Sequence, residues 1–203
     1  MKIKSLAIIA VIAAAAAAGA LAQDLPDQRT AQKMLFKDGK NATEVRILRP
    51  ELIPESYQAA LHQAAKLQKY YEALAVSPTE GLLAKSGTQA INFHTAAAAH
   101  VAAIYGCNKK KAKASADCVV VAEFLPKGYT GAQTFSLSNN ATEEFRKAYR
   151  RGGKSKAFAI SPSTGNWGQA VKAGSADAAR TTALADCNAK PGGNGDCEVV
   201  SQD

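Results

Sequence analysis

The sequence predicts an α+β protein built from two related small α-β-β-α-β units, short antiparallel sheets with helices packed on them. Three observations predict it. One block of residues recurs in the same order further along the chain. Bulky apolar residues alternate with Ala at period two before each Ser-Pro-x-x-Gly turn. Ala-rich stretches of helical length end in Cys, and each is followed by a second Cys and a Val-Val run. The expected division is a leader (1–22), an N-terminal arm (23–53), a first unit (54–124), a connection (125–139) and a second unit (140–203).

The repeat is specific. Glu72-Ala73-Leu74-Ala75-Val76-Ser77-Pro78 matches Lys156-Ala157-Phe158-Ala159-Ile160-Ser161-Pro162 at a shift of 84, kept by Gly81 and Gly165. Ala98-Ala99, Ala103 and Cys107-Asn108 match Ala178-Ala179, Ala183 and Cys187-Asn188 at a shift of 80. Asp117-Cys118-Val119-Val120-Val121 matches Asp196-Cys197-Glu198-Val199-Val200 at 79. The shift changes only where loops are expected, as it should for a duplicated unit.

The elements follow in order. Lys2 and Lys4, the apolar run Leu6–Ala20 and the Ala20-Leu21-Ala22 site read as a secretory signal cut before Gln23. The run is shorter than the roughly 20 residues a spanning helix needs, and no later stretch is long and apolar enough, so a periplasmic or secreted location is expected. In the arm, Val45, Ile47 and Leu48 suggest a strand or a packed segment. Tyr57, Ala60, Leu61, Ala64 and Tyr71 form one stripe behind Pro54, which predicts the first unit's leading helix. Its counterpart starts at Asn140 with Glu143 three residues on, a capping-box pattern, followed by Phe145, Ala148 and Tyr149. Leu74 and Val76, then Phe158 and Ile160, give each unit a strand with one bulky and one Ala face. Pro and Gly then turn the chain back. The return strands are expected to carry Leu83 in one unit and Trp167, Gln169 and Val171 in the other. Thr95 and Ser175 are N-caps for the helices Ala96–Tyr105 and Ala176–Cys187. Cys118–Phe124 and Cys197–Gln202 complete the units. Pro126, Gly128 and Gly131 mark the connection.

Ala makes up 43 of the 203 residues. Small side chains let a helix approach a sheet closely, but each buries about 2 kcal/mol less than Leu would, at ~0.8 kcal/mol per CH2. Cross-links should therefore matter. The four Cys allow three pairings. Matching local contexts point to Cys107–Cys118 and Cys187–Cys197, each closing a short loop in the oxidising compartment that export implies. The C-x2-4-C knuckles of a zinc site are absent.

The segment Ala157–Gly168 (Ala-Phe-Ala-Ile-Ser-Pro-Ser-Thr-Gly-Asn-Trp-Gly), then Ser175, Ala183-Leu184-Ala185-Asp186-Cys187-Asn188 and Asp196-Cys197-Glu198-Val199-Val200, resembles the bacterial secreted family called domain of unknown function 4189. The first unit then reads as a degenerate copy without the Trp. The resemblance implies export. It brings no catalytic residues.

The inventory argues against catalysis. No G-x-S-x-G, Walker loop or G-x-G-x-x-G is present. Ser77 and Ser161 precede Pro in turns, and bridged Cys cannot be thiolates. His62 reads as a surface residue. His94 and His100 are six apart, not the i, i+4 spacing of a helical metal pair. No cofactor and no metal are expected, and a pyridoxal-phosphate enzyme such as 5-aminolevulinate synthase would not fit in a short Ala-rich chain. The formal charge of +8 falls to +6 when Lys2 and Lys4 leave with the leader. The remaining charge clusters in Lys109, Lys110, Lys111 and Lys113, and in Arg146, Lys147, Arg150, Arg151, Lys154 and Lys156. Trp167 is the single Trp and a candidate ligand-stacking residue. Together they predict an exported, non-catalytic binding module whose basic face meets an anionic envelope component or a protein partner. A small periplasmic hydrolase is the alternative. Nucleic acid is not an expected partner, because aromatics do not interleave with the charges. Oligomeric state is left open.

Overall fold

In a computed structural model, which describes residues 25–39, 41–131 and 133–203, the arm contributes helix α1 (Gln28–Met34) and strand β1 (Thr43–Ile47). The first unit follows as α2 (Glu55–Ala64), β2 (Glu72–Val76), β3 (Thr88–Ala90), α3 (Ala96–Lys110) and β4 (Val119–Pro126). The second repeats that order as α4 (Asn139–Lys147), β5 (Ala157–Ile160), β6 (Trp167–Ala170), α5 (Ala176–Asn188) and β7 (Glu198–Gln202). The α+β class and the doubled element order are as expected. The leader lies outside the described residues. Among the described residues no helix is long and apolar enough to cross a membrane.

Both sheets are antiparallel. The first has the order β1-β4-β2-β3 and the second β6-β5-β7. The likeness extends to an irregularity. The β2–β4 register breaks between Leu74 and Ala75, leaving Val121 bulged; the β5–β7 register breaks between Phe158 and Ala159, leaving Val200 bulged. These are equivalent positions.

The alternation sorts each sheet into two faces. Ala73 and Ala75 pack under α3 with Ala96, Ala99 and Ala103; Ala157 and Ala159 pack under α5 with Ala179 and Ala183. Val76 and half-buried Leu74 face Ile53 and Ala65, while Phe158 and Ile160 face Phe145 and Tyr149. Thr95 Oγ1 accepts from the Ala98 N–H, and Ser175 Oγ from the Ala178 N–H, so both predicted N-caps are used. Disulfides Cys107–Cys118 and Cys187–Cys197 tie each of these helices to the next strand. The recurring Asn has a job there: Asn108 Oδ1 accepts from the Cys118 N–H at 3.0 Å and Asn188 Oδ1 from the Cys197 N–H at 3.3 Å.

Several sequence expectations need correction. Helix α4 is capped by Ser138, not Asn140, because Ser138 Oγ accepts from the Ala141 N–H and the His94 ring holds the Ser138 amide. Tyr71 is not part of the leading helix; it packs beneath α3, and Tyr57 at the helix start is exposed. The first return strand is Thr88–Ala90, and Leu83 lies exposed in the preceding loop. Val171 falls just beyond β6.

The arm spans both units. β1 pairs with β4, from Thr43 opposite Pro126 to Ile47 opposite Ala122. α1 instead buries Ala31 against the second unit with Phe135, Leu137 and Phe145.

Candidate functional site

Folding divides the second basic cluster. Arg146 is bonded to the Asp38 carboxylate and to the carbonyls of Leu35 and Phe36, so it pins the arm to α4. Lys147 pairs with Glu143 one turn earlier. Lys156 stands just before β5, in phase with Phe158 and Ile160, which turns it inward: it is buried, lies over the Tyr149 ring and sits 3.6 Å from the Asp203 carboxylate. Arg146 and Lys156 are therefore taken up by the fold, while Lys147 stays exposed beside Glu143. Arg150, Arg151 and Lys154 remain exposed, and among the described residues none has a carboxylate partner.

The loop carrying them is well held. Tyr149–Arg151 forms a 3-10 turn, buried Tyr149 anchors it, and Gly153 takes φ +73. The Lys172 amide donates to the Gly152 carbonyl, and the Ala173 amide to the Ser155 carbonyl. This brings exposed Lys172 beside the loop as a fourth cation. Lys172 has φ +54, a conformation that Asn and Gly tolerate better than Lys. Sequence reading did not include Lys172. Its signal was the shift of 80, which aligns it with Asn92, also left-handed at φ +62.

The first basic cluster is also partly engaged. Lys111 donates to the Ser115 carbonyl and sits 3.4 Å from the Asp117 carboxylate, so it braces the bridged loop. Lys110 donates to Thr88 Oγ1, and Lys109 lies 4.4 Å from the centre of the Tyr105 ring. Lys113 is exposed.

Trp167 is half-buried and already engaged. The Phe158 ring lies nearly parallel to it with centres 5.6 Å apart, and Lys190 Nζ lies 3.6 Å from its centre. A ligand stacking there would compete with the Lys190 ammonium.

The histidines are not brought together. His94 is buried between the units. Its Nδ1 accepts from the Ser138 N–H at 2.9 Å and its Nε2 donates to the Asn166 carbonyl at 2.8 Å. That pattern requires the neutral ring, and burial lowers its pKa to about 4. His100 Nε2 instead meets Glu123 at 2.8 Å, with Arg46 on the other side of the same carboxylate. His62 is exposed. Among the described residues no group of three His, Cys, Asp or Glu side chains could hold a metal.

The turn serines are tied down. Ser77 Oγ donates to the Ala116 carbonyl, and Ser161 Oγ to the Asp196 carboxylate at 2.6 Å. Glu72 escaped sequence reading. It is buried with Gln89 Nε2 and the Lys69 amide as donors, and burial raises its pKa to about 7. Its carboxylate thus ties the start of β2 to the Lys69 amide and to Gln89 on β3.

Comparison of the chain with family models, curated proteins and solved structures yields no match.

Proposed function

We propose that this is an exported, non-catalytic binding module that holds an anionic envelope component on the corner formed by Arg150, Arg151, Lys154 and Lys172. The observation that carries the reading is the fate of the cations. Those that the fold uses are paired or buried, whereas these four are exposed on two loops zipped together by backbone hydrogen bonds. Arg forks suit two-pronged contacts with phosphate or carboxylate oxygens. The disulfides fit an oxidising compartment, and the leader-like start of the sequence supports export. Kinship with the domain of unknown function 4189 belongs to the same proposal and rests on the motif residues alone. The turn serines, His94 and the cysteines are all committed to structure, which supports a binding role over a hydrolytic one.

The test is binding of the mature chain to vesicles containing 30% phosphatidylglycerol, read against salt. Each exposed cation near an anionic surface contributes ~1 kcal/mol. Reversing Arg150, Arg151 and Lys154 to Glu should weaken binding by about a hundredfold or more. Wild-type binding should fall steeply with ionic strength. Binding that ignores both salt and the reversal contradicts the proposal.

A further inference from the structure

We infer that the indole face of Trp167, with the Asp186 and Glu144 carboxylates and the Gln169 side chain beside it, is a recognition site for a guanidinium group. Lys190 is its resident stand-in, which the ligand displaces. The site is separate from the basic corner and takes a cation rather than an anion.

The parts converge at β6, an edge strand of the second sheet. Trp167 and Gln169 stand two apart and so share one face of the strand. Trp167 opposes Ile160 and Gln169 opposes Phe158, yet the Trp167 ring lies nearly parallel to the Phe158 ring, so the indole leans along the strand toward Gln169. Helix α5 brings Asp186, whose Oδ2 accepts from the Gln169 amide at 3.1 Å. Helix α4 brings Glu144, whose Oε1 accepts from Gln169 Nε2 at 3.2 Å. Among the described residues the other oxygen of each carboxylate has no donor. Gln169 Oε1 is buried and has none either. An aromatic face thus lies beside three unused acceptors.

Lys190 fills this place poorly. Its Nζ lies 3.6 Å from the centre of the Trp167 ring, but it reaches Asp186 Oδ2 only at 4.0 Å and makes no hydrogen bond among the described residues. Its side chain is only 29% exposed, so an ammonium with three donors has exchanged much of its water for one ring and a loose ion pair. Burial accordingly lowers its pKa, with Asp186 and Glu144 acting against that. Only the side chain has to leave, because the Lys190 amide donates to the Cys187 carbonyl and the Lys190 carbonyl accepts from the Gly193 amide.

A guanidinium is the cation that matches. It stacks flat on an indole, and its five coplanar N–H donors answer to several acceptors at once. With Lys190 swung out, two carboxylates stand against its charge. The equivalent place in the first unit has none of this. By the shift of 80, Trp167 and Asp186 align with Gly87 and Gly106, and Lys110, aligned with Lys190, donates to Thr88 Oγ1 instead.

The probe is acetyl-Gly-Arg-Gly-amide, titrated into the full mature chain and read by the fluorescence of its single Trp and by NMR of the indole N–H. A saturable change is expected, with acetyl-Gly-Lys-Gly-amide binding several-fold more weakly. Ethylguanidinium separates the sources: equal affinity assigns the site to small guanidino compounds, and tighter peptide binding assigns it to an arginine of a polypeptide. Asp186→Asn, which keeps an oxygen for the Gln169 amide, should weaken binding several-fold. Lys190→Ala should tighten it several-fold, a result that loss of a merely structural contact does not give. Lys190→Gln reads the same if the Ala variant unfolds. The inference is overturned by equal binding of the Lys peptide, by unchanged or weaker binding when Lys190 is replaced, or by no saturable change at tens of millimolar Arg peptide.

Discussion

The two units share a frame and differ in where they face outward. In the first unit the left-handed corner at Asn92 is turned toward the second unit: Asn92 Oδ1 accepts from the Asn140 amide, and the Asn92 carbonyl lies against Gly165. In the second unit the equivalent corner is Lys172, exposed beside Arg150, Arg151 and Lys154. In the first unit β1 and the residues after it cover the outer edge of β4 from Val121 to Pro126; in the second, among the described residues, the Pro26 carbonyl reaches the outer edge of β7 at Gln202 alone. The copied frame was kept, and the surfaces that the two copies turn outward differ.

The frame tolerates exchange of roles as well. Each sheet is crossed closely by its Cys-terminated helix, and each crossing needs a missing side chain. In the first unit the gap is Gly106 on α3 against Thr88; in the second it is Gly168 on β6 against the α5 backbone. By the shift of 80, Gly106 aligns with Asp186 and Thr88 with Gly168, so the two units solve one contact from opposite sides.

The comparison can be broken in four places. Loss of either disulfide by paired Cys→Ser changes should cost about 3 kcal/mol by loop entropy. The Cys187–Cys197 pair should cost more, since no strand covers β7 as β1 covers β4; denaturant unfolding of the two variants decides, and a larger loss at Cys107–Cys118 would refute that asymmetry. His94 comes next and has no counterpart, because Gly174 stands at its place. Its folded pKa, near 4, lies below the ordinary 6.5. Its contribution is therefore complete above pH 6.5 and lost as pH falls toward 4, by up to about 3 kcal/mol. Stability measured at pH 7 and pH 4 should fall further in wild type than in His94→Gln. Glu72 acts with the opposite sign: its folded pKa near 7 exceeds 4.5, so its ionisation opposes folding as pH rises between those values.

The glycine pair gives the third test. A Cβ on Gly168 would lie 2.3 Å from the Ala183 oxygen and the Cys187 nitrogen, both backbone atoms. On Gly106 it would meet the Thr88 methyl at 2.8 Å, a side-chain atom rather than backbone. Gly168→Ala should lower stability by about 2 kcal/mol and Gly106→Ala by under about 1; thermal melts giving equal losses would contradict the swapped-gap account. The smallest effect is at Lys172. Lys172→Gly should stabilise by about 0.5–1 kcal/mol through relief of the left-handed backbone, while Asn92→Gly, which also removes the acceptor of the Asn140 amide, should destabilise by about 1 kcal/mol.

Much of the frame was legible before the structure. Bulky residues alternating with Ala marked β2 and β5 because one face of each strand lies under an Ala-rich helix. Thr95, Ser175 and the two Cys-Asn pairs marked helix ends because each makes a local bond. Long-range contacts were not legible. Arg146 looks like its neighbours in sequence, but its partner Asp38 lies in the arm, 108 residues away. Lys156 looks like part of a basic run, yet its place just ahead of β5 turns it into the core. Helix α1, with only seven residues, is too short to show periodicity. Trp167 could be seen, but not the Lys190 that covers it.

On the proposed function the second copy, not the first, meets the anionic partner. Vesicle binding decides it most directly when two charge-reversed chains are compared at one low salt concentration. One carries Glu at 150, 151 and 154, the other Glu at 109, 110 and 113. Near-complete loss is expected in the former and only a several-fold loss in the latter. Equal losses, or the larger loss at 109, 110 and 113, would contradict it.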